Sequence, residues 1–443
     1  MLPNPRIVAI DDKQDELDAL TNALSRTGAA CLGILFDAES GALKACPEAR
    51  VIFFDLHLLG NAVGTPEKHF STIVSCLEQM GPQGPYAIIV WSQHPDEAGG
   101  NDAGDGLYQY ICERLDNTIP RPYVVMPLPK VEHLSKSGET FVVADPAALR
   151  TKVDALLAAH PQTSALFLWE KYVLSAAANT VGQLIELSGG RAEQIKGVMA
   201  SLAIAAVGPK NVDQDRFYAL NEVLLPILSD RLSFFASAPE DLKIWESAFS
   251  AKDKEVITPE KIGKINKFIS LSTSTDKLNA ADRGAIIPYD AILKDPKENI
   301  EEHFGIKLGE IITRCFGIRS LKEFDGAKWV LLQSQAACDY AQKKPQILSY
   351  FLGLEIASSA VRNPRAGEMA LPESLWISPV FSIEDADKVL LFNAGSLLVF
   401  PTKIIMEAQP IYRLREQILN DLLFKLRNHQ SRPGIISLFP KDS

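Results

Sequence analysis

The sequence has no long hydrophobic run, no signal-peptide pattern in its opening residues and no internal repeat, and each of these absences argues against one class of protein. No apolar run in its 443 residues approaches the roughly 18 to 20 residues that a membrane-spanning helix needs. The opening residues, Met-Leu-Pro-Asn-Pro-Arg, contain no basic region followed by a long apolar core, so we expect no secretory signal peptide. Neither an internal repeat nor a low-complexity tract is present. We therefore expect a globular cytoplasmic protein with no membrane partner.

Cysteine and positive charge are also scarce. The six cysteines are scattered and no pair has CxxC spacing, so we expect reduced thiols rather than a disulfide framework. Acidic residues outnumber basic ones and give a net charge of −10. That balance argues against non-specific binding to nucleic acid or to an anionic membrane. Since no helix-turn-helix signature is present either, we expect no nucleic-acid partner.

Several motifs of nucleotide and metal enzymes are missing. No glycine-rich loop follows the first apolar run, at 6–10, and the carboxylates found there would repel a pyrophosphate, so a dinucleotide-binding Rossmann domain is excluded. The histidines lack HExxH spacing. His57, His69 and His94 lie near one another in sequence, and we expect them at the surface or at the rim of a site. The sequence also contains no nucleotidyl-cyclase or phosphodiesterase motif.

What the first 130 residues do contain is an alternation of apolar runs and helical patterns. The runs are rich in Val, Ile, Phe and Tyr, as buried strands are, and they occupy 6–10, 31–36, 51–54, 86–91 and 123–128. Helical spacing of apolar residues recurs between them. Strands that alternate with helices form βαβ units, so the sequence predicts an α/β fold with a doubly wound parallel sheet.

The remainder of the chain divides into two further regions. Residues 146–238 have helical periodicity and predict a linker or bundle domain, in which the helices at 166–236 are candidates for a homodimer interface. Residues 239–443 predict a C-terminal mixed α/β or α+β domain of unknown role. With the N-terminal domain at 1–145, we predict three domains in all.

Aspartates close two of the predicted strands. Asp11 and Asp12 follow the first run, and Asp55 follows the run at 51–54. Open α/β sheets place their chemistry at the carboxyl edge of the parallel strands, and carboxylates gathered there repel one another unless a cation joins them. The sequence therefore predicts a small acidic Mg²⁺ pocket in which one aspartate is available as a nucleophile.

Ser92 and Lys130 follow the fourth and fifth predicted strands and complete a set of five strand-end positions. This set resembles the receiver domain of bacterial response regulators, over roughly residues 5–150. The matching stretches are Ile-Val-Ala-Ile-Asp11-Asp12, Phe-Phe-Asp55-Leu-His-Leu, Ile-Ile-Val-Trp-Ser92, and the Lys130 that follows Val-Val-Met-Pro-Leu-Pro. The resemblance implies a flavodoxin-like sheet.

The resemblance also implies a Mg²⁺ site. Asp12, Asp55 and the backbone carbonyl of His57 would be the protein ligands, and Asp11 would assist through water. Mg²⁺ prefers oxygen ligands in an octahedron and keeps several waters, which suits such a set.

The same resemblance implies the role of phosphoryl acceptor. Asp55 would take a phosphoryl group from the phosphohistidine of a histidine kinase. Lys130 would pair with one phosphoryl oxygen, and Ser92 would donate a hydrogen bond to another.

The sequence departs from the family pattern at three points. Leu59 stands where receivers usually have a proline, four residues after the acceptor. Val131 stands where proline usually follows the lysine, and the interval from Ser92 to Lys130 is longer than the family norm. The missing proline at Leu59 and the altered flanks of Lys130 favour a rival hypothesis, a pseudo-receiver that binds a protein partner and takes no phosphate.

Two narrower hypotheses concern the whole chain. A divergent receiver joined to a large unusual region resembles proteins that accompany histidine kinases in bacterial antiphage phosphorelays of the Detocs type, where a receiver can act as a phosphate sink. Alternatively the C-terminal half is an enzyme with Cys338 as its nucleophile, although the sequence identifies no base to activate it.

Overall fold

The computed structural model describes residues 4–60, 66–99, 105–273, 277–293, 296–343 and 347–431. The chain forms two compact units. The first consists of Met1–Leu174 with Phe235–Ser250, and the second of Ser175–Phe234 with Ala251–Ser443. The predicted mixed α/β class is confirmed. The predicted division into three domains, at 1–145, 146–238 and 239–443, stays a prediction.

The N-terminal part alternates strands and helices along the chain. Its elements are β1 (Ile7–Asp11), α1 (Gln14–Arg26), β2 (Cys31–Leu35), β3 (Val51–Phe54), α2 (Pro66–Met80), β4 (Ala87–Ser92), α3 (Asp105–Arg114), β5 (Val124–Pro129), β6 (Leu134–Ser137), β7 (Thr140–Val143) and α4 (Pro146–Ala158). The helices that follow are α5 (Pro161–Leu187), α6 (Ala192–Val207), α7 (Arg216–Ser233), α8 (Pro239–Ala248) and α9 (Pro259–Ser270).

The C-terminal part is rich in strands. Its elements are β8 (Leu271–Ser272), β9 (Ala285–Pro288), α10 (Pro296–Phe304), α11 (Leu308–Glu310), β10 (Lys328–Gln333), α12 (Ala337–Ala341), β11 (Ile347–Ala357), β12 (Leu375–Ile377), β13 (Phe381–Ile383), β14 (Ala386–Pro401), α13 (Thr402–Ile405), β15 (Tyr412–Leu414) and α14 (Glu416–Gln430).

The first unit is built on a five-stranded parallel sheet in the order β2-β1-β3-β4-β5, which is the flavodoxin-like order. Both faces of the sheet are covered. Val8 and Ile10 of β1 share one apolar core with Ile73 of α2, whereas Ala9 belongs to the opposite core with Leu17 of α1. All residues of β3 and β4 are buried, which explains why these strands are continuous apolar runs in the sequence. The predicted doubly wound parallel sheet is confirmed.

The register of this sheet brings the strand ends to one edge. Ile10 pairs with Phe54 and Phe54 pairs with Val90, so the residues that follow these strands stand side by side. Ser92 pairs with Pro129 at the end of β5, and Lys130 comes directly after it.

The second unit contains an eight-stranded sheet that is antiparallel throughout. The strand order is β12-β14-β11-β10-β9-β15-β8, and β13 pairs with β14. Helix α14 packs Leu419, Leu422 and Leu426 into a core on one face of this sheet, and a second core that includes Ile311 and Phe316 covers other strand residues. The helices of the described ranges include none that is both long and apolar enough to cross a membrane.

Gly353 is a point of close approach in the second sheet. It lies in β11 opposite Phe392 of β14, where the register of the two strands shifts. A side-chain carbon at this position would overlap the carbonyl oxygen of Leu391 and the ring of Phe392, whereas one at Gly182 of α5 would enter open space.

We therefore expect Gly353→Ala to destabilise the second unit by about 1–3 kcal/mol, the usual cost of overpacking. Gly182→Ala should be neutral or slightly stabilising, because alanine favours a helix. Differential scanning calorimetry measures both, and equal melting temperatures for the two variants would contradict the close approach.

Candidate metal centre at the edge of the parallel sheet

Three carboxylates meet at the carboxyl edge of the parallel sheet. Asp11 ends β1, Asp12 follows it, and Asp55 follows β3, where its amide donates a hydrogen bond to the Ile10 carbonyl at 2.9 Å. One carboxylate oxygen from each aspartate lies within 4.8 Å of the others. Asp11 and Asp55 are buried and Asp12 is half-buried. The predicted convergence of these acids is confirmed.

The chemistry of this cluster fits a divalent cation. The Oδ1 atom of Asp12 is buried and has no hydrogen-bond partner within the described ranges, which is costly for a charged oxygen unless a cation binds it. Carboxylate oxygens are the ligands that Mg²⁺, Mn²⁺ and Ca²⁺ prefer. The three aspartates can therefore hold a metal ion.

Burial and mutual repulsion disturb the ionisation of these acids. Burial raises the pKa of Asp11 to about 7, the charge of Lys130 opposes that shift, and the charge of Asp55 adds to it. Burial and the Asp55 charge also raise the pKa of Asp12. The positive charge around these two carboxyl groups is therefore too small to keep their pKa values in the usual range, and a bound cation would add to it.

Lys130 places an ammonium group within this cluster. The residue begins a short 3₁₀ turn after β5, and its side chain is 1% exposed. Its Nζ atom lies 2.6 Å from Asp11 Oδ2 and 2.9 Å from Asp55 Oδ2. Burial alone would lower the pKa of Lys130, but the charges of Asp55 and Asp11 outweigh burial and raise it. The structure thus brings Lys130 into contact with the predicted acceptor.

Ser92 stands at the same edge, as the last residue of β4, and is fully buried. Its hydroxyl accepts a hydrogen bond from the amide of His94 at 3.4 Å. The predicted bond from Ser92 to a phosphoryl oxygen stays a prediction.

His57 forms part of the turn after Asp55. Its amide donates to Asp55 Oδ1 at 3.3 Å, and its carbonyl accepts the amide hydrogen of Gly60 at 2.7 Å. A carbonyl oxygen has two lone pairs, so one remains for a cation. The role of this carbonyl as a metal ligand stays a prediction.

The three nearby histidines differ in their surroundings. The Nε2 atom of His57 lies 2.9 Å from Glu97 Oε2, and His94 is exposed, as a rim position requires. For His69 the prediction of a surface or rim position is wrong, because α2 turns this residue inward and it is 6% exposed. The rings of His57 and His69 are 4.8 Å apart, and burial lowers the pKa of His69.

Glu16 is the residue of this site that the sequence analysis missed. It lies in the first turn of α1, is 1% exposed, and its Oε2 atom is 2.6 Å from Lys130 Nζ. A signal was present: Glu16 comes four residues after Asp12, and immediately before Leu17 on the inward face of the helix. Helical periodicity alone cannot show whether a residue at the edge of the apolar face of a helix, such as Glu16, is buried or exposed to solvent.

Cys338 does not have the surroundings of an activated nucleophile. It is exposed at the start of α12, and its Sγ atom lies 3.8 Å from the carboxylate of Asp339. An activated thiol needs an adjacent base or positive charge, and the described side-chain contact of Cys338 is with a carboxylate. The described contacts therefore give no support to an enzyme centred on this cysteine.

In comparisons with known proteins, no family model matches the chain, and no curated protein or solved structure is significantly similar to it. The first unit is compatible with a receiver-like fold through its five-stranded parallel sheet and its acidic cluster.

The orphaned oxygen of Asp12 leads to a prediction about metal binding. We expect Mg²⁺ to bind the wild-type protein, and Asp12→Asn to weaken the affinity at least about tenfold because a charged ligand is lost. Asp18→Asn removes the same charge from an exposed position of α1 and should leave the affinity unchanged. Isothermal titration calorimetry gives all three constants. Equal affinities for the two variants would show that the ion binds elsewhere.

Proposed function

We propose that the first unit accepts a phosphoryl group on Asp55 from the phosphohistidine of a histidine kinase, with Mg²⁺ as its cofactor. The observation that carries this proposal is the contact between Lys130 Nζ and Asp55 Oδ2, at 2.9 Å, within a cluster of three acids that suits a cation. The chain then serves as the response regulator of a bacterial two-component phosphorelay.

The chemistry needs few groups. A carboxylate oxygen of Asp55 attacks phosphorus, and the bond between phosphorus and the imidazole nitrogen of the donor breaks. The donor ring is protonated on its other nitrogen, so it takes the electron pair of that bond and leaves as neutral imidazole. The transition state is loose and spreads charge over the phosphoryl oxygens, so positioning and charge neutralisation dominate catalysis.

Each residue of the edge has a part in this transfer. Lys130 is already beside the acceptor and donates to a phosphoryl oxygen as a point charge. Asp12, Asp55 and the His57 carbonyl would hold the cation, with Asp11 assisting through water, and the cation would supply charge that neutralises the phosphoryl oxygens. Buried Ser92 stands at the same edge as a further donor. The doubly wound sheet fixes all of them, because each side chain sits at or next to a strand end.

One observation favours the second candidate function, a pseudo-receiver scaffold. Lys130 is already bound by three carboxylates, those of Asp11, Glu16 and Asp55, and a closed set of ion pairs of this kind can be purely structural. In that case the first unit keeps the receiver-like surface and binds a partner without taking phosphate.

A small-molecule phosphodonor separates the two candidates. With acetyl phosphate and Mg²⁺, we expect the intact protein to gain the mass of one phosphate. Asp55→Asn should abolish that gain, while Asp18→Asn should retain it. Intact-mass spectrometry makes the measurement. An unmodified wild-type protein, under conditions that label a known receiver, would favour the scaffold.

The narrower form of the proposal is a phosphate sink in antiphage defence of the Detocs type. It is supported by the resemblance of a divergent receiver joined to a large region without DNA-binding, cyclase or phosphodiesterase motifs. A sink accepts phosphoryl groups from the kinase and so opposes accidental activation.

We also propose that the helical region forms a homodimer. Residues 197–207 of α6 carry no charge, and of the side chains described in this helix only Ala203 and Val207 are buried. A helix that is apolar on all sides is normally covered. A second copy is the occupant that fits, because a two-fold interface sets a surface against itself and this one has no like charges to repel.

We therefore expect the wild-type protein to be a dimer and Ile204→Glu to be a monomer, since Ile204 is 44% exposed on α6. Leu321→Glu is the matched control, because Leu321 is 58% exposed outside the helical region. Light scattering after size-exclusion chromatography gives the masses. A monomeric wild-type protein, or a dimeric Ile204→Glu, would exclude this interface.

A further inference from the structure

The ammonium group of Lys130 has no free hydrogen-bond donor. It carries three N–H groups, and its nitrogen lies 2.6 Å from Asp11, 2.6 Å from Glu16 and 2.9 Å from Asp55. The side chains of Lys130, Asp11 and Glu16 are 1–2% exposed, so water does not compete for these bonds. Any new acceptor must replace one of the three carboxylates.

The Glu16 carboxylate is held by cations on both sides. Its Oε2 atom accepts from Lys130, and its Oε1 atom accepts from Lys13 at 3.0 Å. The amide of Gln93 also reaches Oε1, at 3.4 Å. Glu16 is therefore fixed in position although it comes from a helix and not from a strand end.

Glu16 differs from the other two partners of Lys130. Asp11 and Asp55 belong to the cluster whose oxygens lie close enough together to share a cation, and Glu16 lies outside that cluster. With a cation bound, the two aspartates are drawn toward it. Glu16 would not contact that cation. Lys13 can still hold the Glu16 carboxylate when Lys130 moves away.

A phosphoryl group on Asp55 would bring about −1.5 to −2 charges and three strong acceptor oxygens beside Lys130. Asp55 loses its own negative charge when it forms the acyl phosphate, so the bond from Lys130 to Asp55 can pass to a phosphoryl oxygen. Glu16 keeps its full charge on the same ammonium, and it continues to compete with the phosphoryl oxygens for Lys130.

We propose that Glu16 is a positioning residue that competes with an incoming phosphoryl group for the Lys130 ammonium and thereby limits how fast Asp55 accepts that group. This inference rests on the proposed phosphoryl acceptance. Neutralising Glu16 leaves the shape of the site intact but weakens its hold on Lys130. A charge-assisted hydrogen bond is roughly twice as strong as a neutral one, so the ammonium becomes available to the phosphoryl oxygens.

The test compares the wild type with Glu16→Gln, Glu16→Asp and Asp18→Asn, using acetyl phosphate and Mg²⁺. We expect Glu16→Gln to accept phosphate about 3- to 10-fold faster and to bind beryllofluoride more tightly by a similar factor. The Mg²⁺ affinity of Glu16→Gln should not change, whereas a general structural disturbance of the site would lower that affinity as well. Asp18→Asn, with the same change of charge on an exposed position of the same helix, should behave as wild type.

Glu16→Asp guards against loss of folding. It keeps the buried charge but shortens the side chain, so its rate of acceptance should lie between those of the wild type and Glu16→Gln.

The outcomes separate the two proposals. If the wild type gains phosphate on Asp55 while both Glu16 variants match Asp18→Asn, or accept phosphate more slowly, the role of Glu16 is overturned and phosphoryl acceptance stands. If the wild type stays unmodified but Glu16→Gln gains phosphate, the restraint is supported in its strongest form. If no variant takes phosphate or beryllofluoride, both proposals fall.

Discussion

The buried ammonium of Lys130 is the constraint on which the edge of the parallel sheet depends. A right-handed βαβ arrangement brings strand ends together whatever residues they carry, and here they carry acids. Four carboxylates in a poorly hydrated space could not all stay ionised without a counter-charge. One lysine supplies part of it, although burial still raises the pKa of Asp11 above its usual range. Such an arrangement contributes little net stability, because the cost of burying the charges offsets much of their mutual attraction.

The parts of the site that sequence alone could predict are those attached to strand ends. Buried parallel strands appear as unbroken apolar runs, so the positions of Asp11, Asp55 and Lys130 at their ends follow directly from where each run stops. Their convergence follows in turn from the topology, because all strands of such a sheet point the same way. Neither inference requires knowledge of how a helix is rotated.

The parts that could not be predicted depend on helix rotation and on distant pairing. Glu16 and His69 lie on helices, and whether each faces inward depends on how α1 and α2 are rotated where they pack on the sheet.

In the second unit, β8 pairs with β15 near the end of the chain, and β9 lies between β10 and β15. Antiparallel pairing between segments so far apart leaves no local periodic signal, so neither the short strands β8, β9 and β15 nor the order of the strands could be predicted.

The edge strand β5 restricts how another protein can recognise the first unit. It ends in Pro-Leu-Pro, and Pro127 is exposed along it. Proline has no amide hydrogen to offer, and prolines on outer strands discourage the addition of a further strand. Strand addition by another protein is therefore disfavoured at β5, and the opposite edge of the sheet, at β2, carries no proline.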